Sequence, residues 1–374
     1  MIYLDNSATT KPCPEAVEAV TRAMTEGWGN PSALYSFGID TARELQLARG
    51  RVAKALGAEN DRVFFTSGGT EADNWAIFGT IKRFGKRGKH IITTAIEHHA
   101  VLHCMKELEA QGYEVTYLQP DETGHITVDS LKAALRKDTI LVSIMMVNNE
   151  TGSVMPIQQM ARLTRKLCPD AIFHTDAIQG FLKIPFQAKT LGADLISVSS
   201  HKVHGPKGAG ALYISPRLKS FPALLLGGGQ ESNLRSGTEG TPAIFGFAAA
   251  CAAVSATMMQ DITREKALLN SLVEKLCKLT GVKVNGAYDA PHILSLSIPG
   301  VPTQNSINIL QDAGIYVSAG SACAKGHRSH VLTAMGLRPE VIDGAFRVSL
   351  SRETTSAEIE ALIAGIQTIM EWKK

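Results

Sequence analysis

Cysteine is scarce in this chain, with six residues in 374, at positions 13, 104, 168, 251, 277 and 323. None forms a C-x-x-C pair, and none clusters with histidine at zinc-site spacing. Neither a disulfide framework nor a resident metal is therefore expected, and a reducing cytoplasm is the compartment that fits. An excess of one charge is also lacking. The net charge is +3, without the basic stripe or tail of a nucleic-acid binder. The densest basic run, Lys82 to Lys89, reads as a solvated helix end and loop, the alternative being contact with a phosphate-rich partner. No apolar run quite reaches a membrane span. The most apolar, Ala243–Met259, is rich in alanine and glycine and reads as a buried or interface helix. Residues 1–10 are acidic and polar where a secretory signal starts basic and turns apolar, so no export signal is expected. Internal repeats and low-complexity segments are absent.

The length suits two domains, and hydrophobic and charged fractions of 44% and 20% are those of an ordinary globular protein. From about Asp61 to Pro216 short apolar runs alternate with helical segments. Arg62–Thr66, His90–Thr94, Glu114–Leu118, Ile140–Met146, Ile172–Thr175, Leu195–Ser199 and Ala211–Ile214 read as strands, with helices at about 71–84 and 100–111. Continuous apolar strands separated by helices predict an α/β architecture, with a mostly parallel sheet covered on both faces. Ligands of such sheets bind at the carboxyl ends of the strands. The last third predicts a smaller α+β unit, with an amphipathic helix at Asp261–Leu279, short strands near 282–284, 293–298, 315–318 and 346–350, and a final helix from Ser356 to Trp372. The N-terminal segment, through the helix Glu15–Glu26, reads as a crossover between lobes. The expected division is 16–255 for the large domain, and 1–15 with 256–374 for the small one.

Five segments carry candidate chemistry. Ser199-Ser200-His201-Lys202 follows a strand and precedes a glycine-rich loop. A lysine at a strand end can be partly desolvated, which lowers its pKa and makes the amine nucleophilic toward a carbonyl. The plain alternative is a surface-loop lysine, and Lys207 is its solvated rival. Ser67-Gly68-Gly69-Thr70-Glu71 sits between a strand and a helix, where free N–H groups bind phosphate. It also reads as a simple capped turn, and it lacks the Walker lysine. Asp176 and Gln179, in His174–Gln179, lie at another strand end. Asp176 could face a protonated pyridine nitrogen or merely cap a helix. Glu97-His98-His99 could supply a stacking proton carrier. As a metal pair the two adjacent histidines lack a third ligand. Finally, Cys323 sits in a small, polar segment, Ala319–Ser329, with Lys325, His327 and Arg328 close by to favour thiolate. The alternative is a free cysteine in an ordinary loop.

Together these segments resemble the cysteine desulfurases of iron–sulfur cluster assembly, in the class-V aminotransferase branch of fold-type-I pyridoxal-5′-phosphate (PLP) enzymes. The resemblance runs nearly end to end, from Tyr3–Thr10 and Gly29–Ser32 through Val147–Gly152 to Gly227–Thr238, Gly320–Cys323 and Ser349–Thr355. It implies a three-layer PLP-dependent transferase fold and a homodimer acting on L-cysteine, with the sulfur passed to an acceptor protein, a scaffold or a carrier. Lys202 is similar to the lysine that holds the cofactor. Gly69, Thr70, Ser199 and His201 resemble phosphate ligands, and Thr238 resembles the ligand lent across the dimer interface. Asp176 resembles the pyridinium partner, Gln179 the partner of the phenolic oxygen, and His98 the ring-stacking acid–base. Asn149 and Arg352 resemble the residues that hold the substrate carboxylate, and Cys323 the sulfur-accepting nucleophile. Two features depart from the pattern. Tyr35 stands where histidine is common and receives no role. The stretch from Cys323 to Ser329–Leu332 is about two residues shorter than in long-loop relatives, which would shorten its reach by several ångströms.

Overall fold

A computed structural model describes residues 1–320 and 328–372 of the chain. Twelve strands are described: β1 (Ile2–Tyr3), β2 (Val63–Thr66), β3 (His90–Thr94), β4 (Glu114–Leu118), β5 (Thr139–Ser143), β6 (Ile172–Asp176), β7 (Leu195–Ser199), β8 (Gly210–Ile214), β9 (Lys283–Asn285), β10 (Ile293–Ser297), β11 (Ile315–Tyr316) and β12 (Ala345–Ser349). The helices are α1 (Pro14–Thr25), α2 (Ser36–Leu56), α3 (Gly69–Phe84), α4 (His99–Ala110), α5 (Val128–Ala134), α6 (Ile157–Leu167), α7 (Ala188–Leu191), α8 (Thr241–Leu276), α9 (Thr303–Asp312), α10 (His330–Ala334), α11 (Pro339–Ile342) and α12 (Ser356–Trp372).

Seven strands form one sheet in the order β2-β8-β7-β6-β5-β3-β4, parallel except for β8, which runs against both neighbours. Successive residues of the central strands enter opposite cores. Ile91, Leu141, Ile172 and Leu195 pack with Trp75, Val101 and Met105 of α3 and α4. Ile92, Val142, Phe173 and Ile196 pack with Leu45, Val52 and Phe247 of α2 and α8. A strand buried on both faces must be apolar throughout, which is why these segments read as unbroken apolar runs. The result is the expected three-layer α/β architecture.

A second core gathers Leu269, Leu272, Leu294, Leu296, Phe346, Val348, Leu362 and Ile366. It covers the antiparallel sheet β12-β10-β9. β1 pairs in parallel with β11, so the N-terminus is tied to this smaller unit before residues 7–10 cross toward Lys202, as the sequence predicts.

Several elements differ from the sequence reading, α2 and α8 most of all. α2, 21 residues long, received no assignment there. The segments 243–259 and 261–279 are parts of a single 36-residue helix, α8. Its first half packs in the large core and its second half in the small one. The helix therefore runs unbroken across residue 255, where the domain boundary was expected. By length and composition α8 could cross a membrane; here it packs against α1 and α2.

Candidate active site

Because β2, β3, β5, β6 and β7 run the same way, their carboxyl ends open on one edge of the sheet. A cavity of about 300 Å³ lies there. The small unit closes it through Gly320, His330 and Arg347, and the crossing N-terminal segment through Ser7 and Ala8.

Lys202 closes a short 3-10 turn directly after β7. Its Nζ donates to the carbonyl oxygens of Ser7 and Ala8, each at 2.6 Å. Burial, reinforced by the charges of Lys183 and Arg347, pulls its pKa down to about 7. Asp176 ends β6 and accepts the Ile178 N–H at 2.8 Å. Burial, with the nearby Asp73 carboxyl, pushes its pKa up to about 8. A carboxyl so raised in a lined cavity is short of a positive partner, which a protonated ring nitrogen would supply. Gln179 spends one amide hydrogen on Ser7 O at 2.9 Å, leaving the second for an oxygen in the cavity, and its Oε1 has no partner among the described residues. The buried Ser7 Oγ likewise has no partner among the described residues.

The strand-to-helix turn after β2 brings Gly69 and Thr70 to the cavity wall. They open the 16-residue helix α3, whose first-turn N–H groups have no intrahelical acceptor. Close packing explains the glycines. A Cβ on Gly69 would lie 2.1 Å from Ile178 Cδ1, and one on Gly210 would meet the Gly68 backbone at 2.7 Å. Ser199 and His201 line the same cavity. His201 Nδ1 contacts Thr9 Oγ1 at 3.2 Å, and burial lowers its pKa to about 4. N–H groups, two hydroxyls and a neutral imidazole at a helix N-terminus fit a phosphate.

His98 caps α4, its Nδ1 accepting the Ala100 N–H at 3.1 Å. Burial first, then the charge of Lys202, lowers its pKa to about 4. The ring is therefore neutral at physiological pH, with Nε2 carrying the hydrogen. Glu97 holds this turn in place. Its Oε1 accepts the Thr94 hydroxyl at 2.8 Å and the Met145 N–H at 2.9 Å. The donors present, with Lys202 at the centre and Asp176 at the rear, fit a planar, phosphate-bearing, aldehyde-derived cofactor.

One expected site residue is misplaced in the sequence reading. Arg352 does not line the cavity. It lies beyond the end of β12, where its Nη2 donates to Thr257 Oγ1 at 2.9 Å and its Nε is 3.5 Å from Asp261 Oδ2. Arg347, inside β12, takes the place at the cavity wall. Its Nη1 donates to Asn149 O at 2.8 Å and its Nη2 to Asp5 Oδ1 at 2.7 Å, while its buried Nε has no partner among the described residues. The sequence carries a signal for Arg347, a lone charge within the apolar run Ala345–Ser349. Asn149 lines the cavity as expected. Thr238 is exposed and lies outside this chain's own cavity. Cys323 lies outside the described residues, but Gly320 before it and His330 after it both line the cavity. Glu150, which the sequence did not single out, binds the far side of that segment by accepting the Ser329 hydroxyl at 2.5 Å. Among the described residues no cluster of His, Cys, Asp or Glu could hold a metal ion.

Residues 2–362 match the model of the aminotransferase class-V family. The cysteine desulfurase IscS of Methanosarcina thermophila is 42% identical over 374 residues, covering 99% of this chain and 92% of that protein. Among solved structures, a NifS-like protein superposes with a TM-score of 0.94 at 36% identity, covering 99% of both chains. A structure described as SspA in complex with cysteine superposes at 0.82 with 31% identity, covering 95% of this chain and 100% of that one.

Proposed function

The chain belongs to the PLP-dependent cysteine desulfurases of the class-V aminotransferase family, and from that premise we propose that Lys202 holds the cofactor and that Cys323 takes the sulfur of L-cysteine. The observation that supports this most is a lysine, Lys202, with its pKa lowered and an aspartate, Asp176, with its pKa raised, facing one cavity whose lining also includes Gly320 and His330, which flank Cys323 in the sequence. That a neighbouring fold is described in complex with cysteine is consistent with the substrate.

Gly69, Thr70, Ser199 and His201 would hold the phosphate, and Asp176 and Gln179 the two polar edges of the ring, with the neutral His98 against its face. When bound, PLP supplies a conjugated sink for the electron pair left at the substrate Cα. Lys202 serves as the base that removes the Cα proton, which its pKa near 7 permits. Arg347, with Asn149, fixes the substrate carboxylate. The Cys323 thiolate attacks the substrate sulfur. A sulfur–sulfur bond forms, the Cβ–S bond breaks, and Cβ gains a proton, with His98 as the residue that would manage it. The carbon is reduced and the Cys323 sulfur oxidised to a persulfide. Cysteine and a thiol become alanine and a persulfide, with no outside oxidant.

Two copies of the chain form the working unit, each lending Thr238 to its partner's phosphate site. The large domain spans 16–255, and the small one 1–15 with 256–374, joined through α8. A cytoplasmic scaffold or carrier protein accepts the sulfur, and nucleic acid and membrane take no direct part. The test is turnover of L-cysteine by the PLP-loaded protein and by Cys323→Ser. The variant is expected to keep the cofactor's absorbance and lose persulfide formation. Undiminished sulfide release by the variant would remove Cys323 from the nucleophile's role.

A further inference from the structure

One buried carboxyl at the cavity has no part in the proposed chemistry. Glu150 follows Asn149 in a turn whose backbone is held by the Asn148 side chain. Asn148 Oδ1 accepts the N–H groups of Glu150 and Thr151, each at 2.9 Å, and its Nδ2 donates to Ile96 O at 3.0 Å. Glu150 is only 3% exposed and lines the cavity. A carboxyl taken out of water is costly unless hydrogen bonds or charges offset the loss. Its contacts therefore indicate what it holds.

The Glu150 Oε2 atom meets two residues that stand on either side of Cys323 in the sequence. It accepts the Ser329 hydroxyl at 2.5 Å. The same Ser329 Oγ accepts the Leu332 N–H at 3.1 Å and so caps α10. Oε2 also lies 3.3 Å from the point where a Cβ on Gly320 would stand. The glycine therefore packs directly on the carboxyl, and a larger residue would push it aside. Gly320 has a left-handed backbone, φ 84°, and its N–H donates to Ser318 Oγ at 3.3 Å. Arg347 Nη1 reaches the Gly320 carbonyl at 3.4 Å while donating to Asn149 O at 2.8 Å. One carboxyl is thus in contact with the chain both before and after Cys323. Cys323 follows Gly320 by three residues, so its Cα stays within about 11 Å of the Gly320 Cα, at most about 3.6 Å per residue. Fixing both chain positions shortens the free loop between them, and less conformational entropy is lost when the thiol is brought to one place.

We propose that Glu150 is a positioning residue that ties Gly320 and Ser329, the two sides of the Cys323 segment, to the cavity wall, so that the thiol meets the substrate sulfur. This rests on the reading of Cys323 as the nucleophile. Glu150 acts through the segment and not on the reacting atoms. The contribution is one of proximity, and a displacement of about 1 Å at a reacting group can cost about a hundredfold in rate.

The test uses the PLP-loaded protein and separates substrate binding from sulfur transfer. Binding is read as the L-cysteine concentration that half-completes the change in cofactor absorbance, and transfer as the rate of persulfide formation in a single turnover. Glu150→Ala is expected to slow transfer about 10- to 100-fold and to leave the half-completing concentration within about twofold. Glu150→Gln keeps the length and an oxygen that accepts the Ser329 hydroxyl, and should restore the rate to within about threefold of the unaltered protein. Ser329→Ala breaks the same contact from the other side and should slow the same step. Combining it with Glu150→Ala should add no further loss, because the two side chains act as one unit. Full-rate transfer in both alanine variants would overturn the proposal. So would a Gln variant as slow as the Ala variant, or a weakening of L-cysteine binding that matches the loss of rate, which would make Glu150 a substrate ligand. If Glu150→Ala fails to fold, Ser329→Ala and Glu150→Gln decide by the same criteria. Persulfide formation that survives in Cys323→Ser defeats the reading of Cys323 instead, whatever the Glu150 variants do, and the two failures are distinct.

Discussion

Two arginines five positions apart separate what sequence and structure each reveal about the site. The family resemblance pointed to Arg352, within a recognisable run of serine and threonine. The deciding fact is strand geometry. Arg347 lies inside β12, opposite Ser295 of β10, and faces the cavity. Arg352 lies past the strand end, where the chain has turned to α8. Spacing along a chain cannot reveal which side of a strand end a residue falls on. Most other site residues were legible because each follows a strand directly, and parallel strands deliver their carboxyl ends to one edge. Arg347→Lys should raise KM for L-cysteine about 10- to 100-fold, the loss of a charged hydrogen bond worth about 1.5–3 kcal/mol, with the cofactor absorbance retained. Arg352→Ala should leave KM within about twofold. Steady-state kinetics of both variants checks this, and the reverse ranking would return the carboxylate to Arg352.

At the level of elements, the strands of the large sheet were easy to read and several helices, α2 and α8 above all, were not. The buried face of α2 is built from Thr41, Leu45, Ala48, Val52, Ala53 and Leu56. Alanine and threonine make a faint apolar stripe, so the 3.6-residue period is present but weak. In α8 the composition changes midway, from alanine-rich to amphipathic, because each half meets a different core. The change was mistaken for a break. Continuity can be tested at Ala256, an exposed position inside the helix. Ala256→Pro should lower stability by about 3 kcal/mol or more, and Ala256→Gly by about 1 kcal/mol, as measured by denaturant unfolding. A harmless proline there would mean that a linker, not a helix, joins the domains. A second element, the loop before α8, carries three consecutive left-handed residues, Glu231 to Asn233. They are held by the buried pair of Glu231 with Arg49, at 2.6 and 2.7 Å, and by the Phe65 N–H at 2.7 Å. Glu231→Gln should cost about 3 kcal/mol or more, because it leaves a buried guanidinium uncompensated. A loss below about 1 kcal/mol would show that other contacts hold the loop.

For the whole molecule, the cavity exists because two cores meet over the carboxyl edge of one sheet. α8 and the N-terminal segment fix their separation. The single chain also leaves large apolar side chains in solvent, with Leu34 93% and Leu226 87% exposed, and Leu226 belongs to the loop that carries Thr238. Under the dimer reading these residues are covered by a second copy. Leu226→Asp should therefore weaken self-association in sedimentation and, by withdrawing Thr238, hasten loss of PLP on dialysis. An unaltered protein that sediments as a monomer while fully loaded with PLP would end that reading.

The central claim concerns the fate of one sulfur atom. PLP-loaded protein is mixed with limiting L-cysteine in the absence of reductant, and both alanine and the mass of the peptide containing Cys323 are followed. The account predicts one alanine for each sulfur atom added to that peptide, with none on peptides carrying the other five cysteines. Alanine without added sulfur on Cys323, or sulfur carried first on another cysteine, would contradict it.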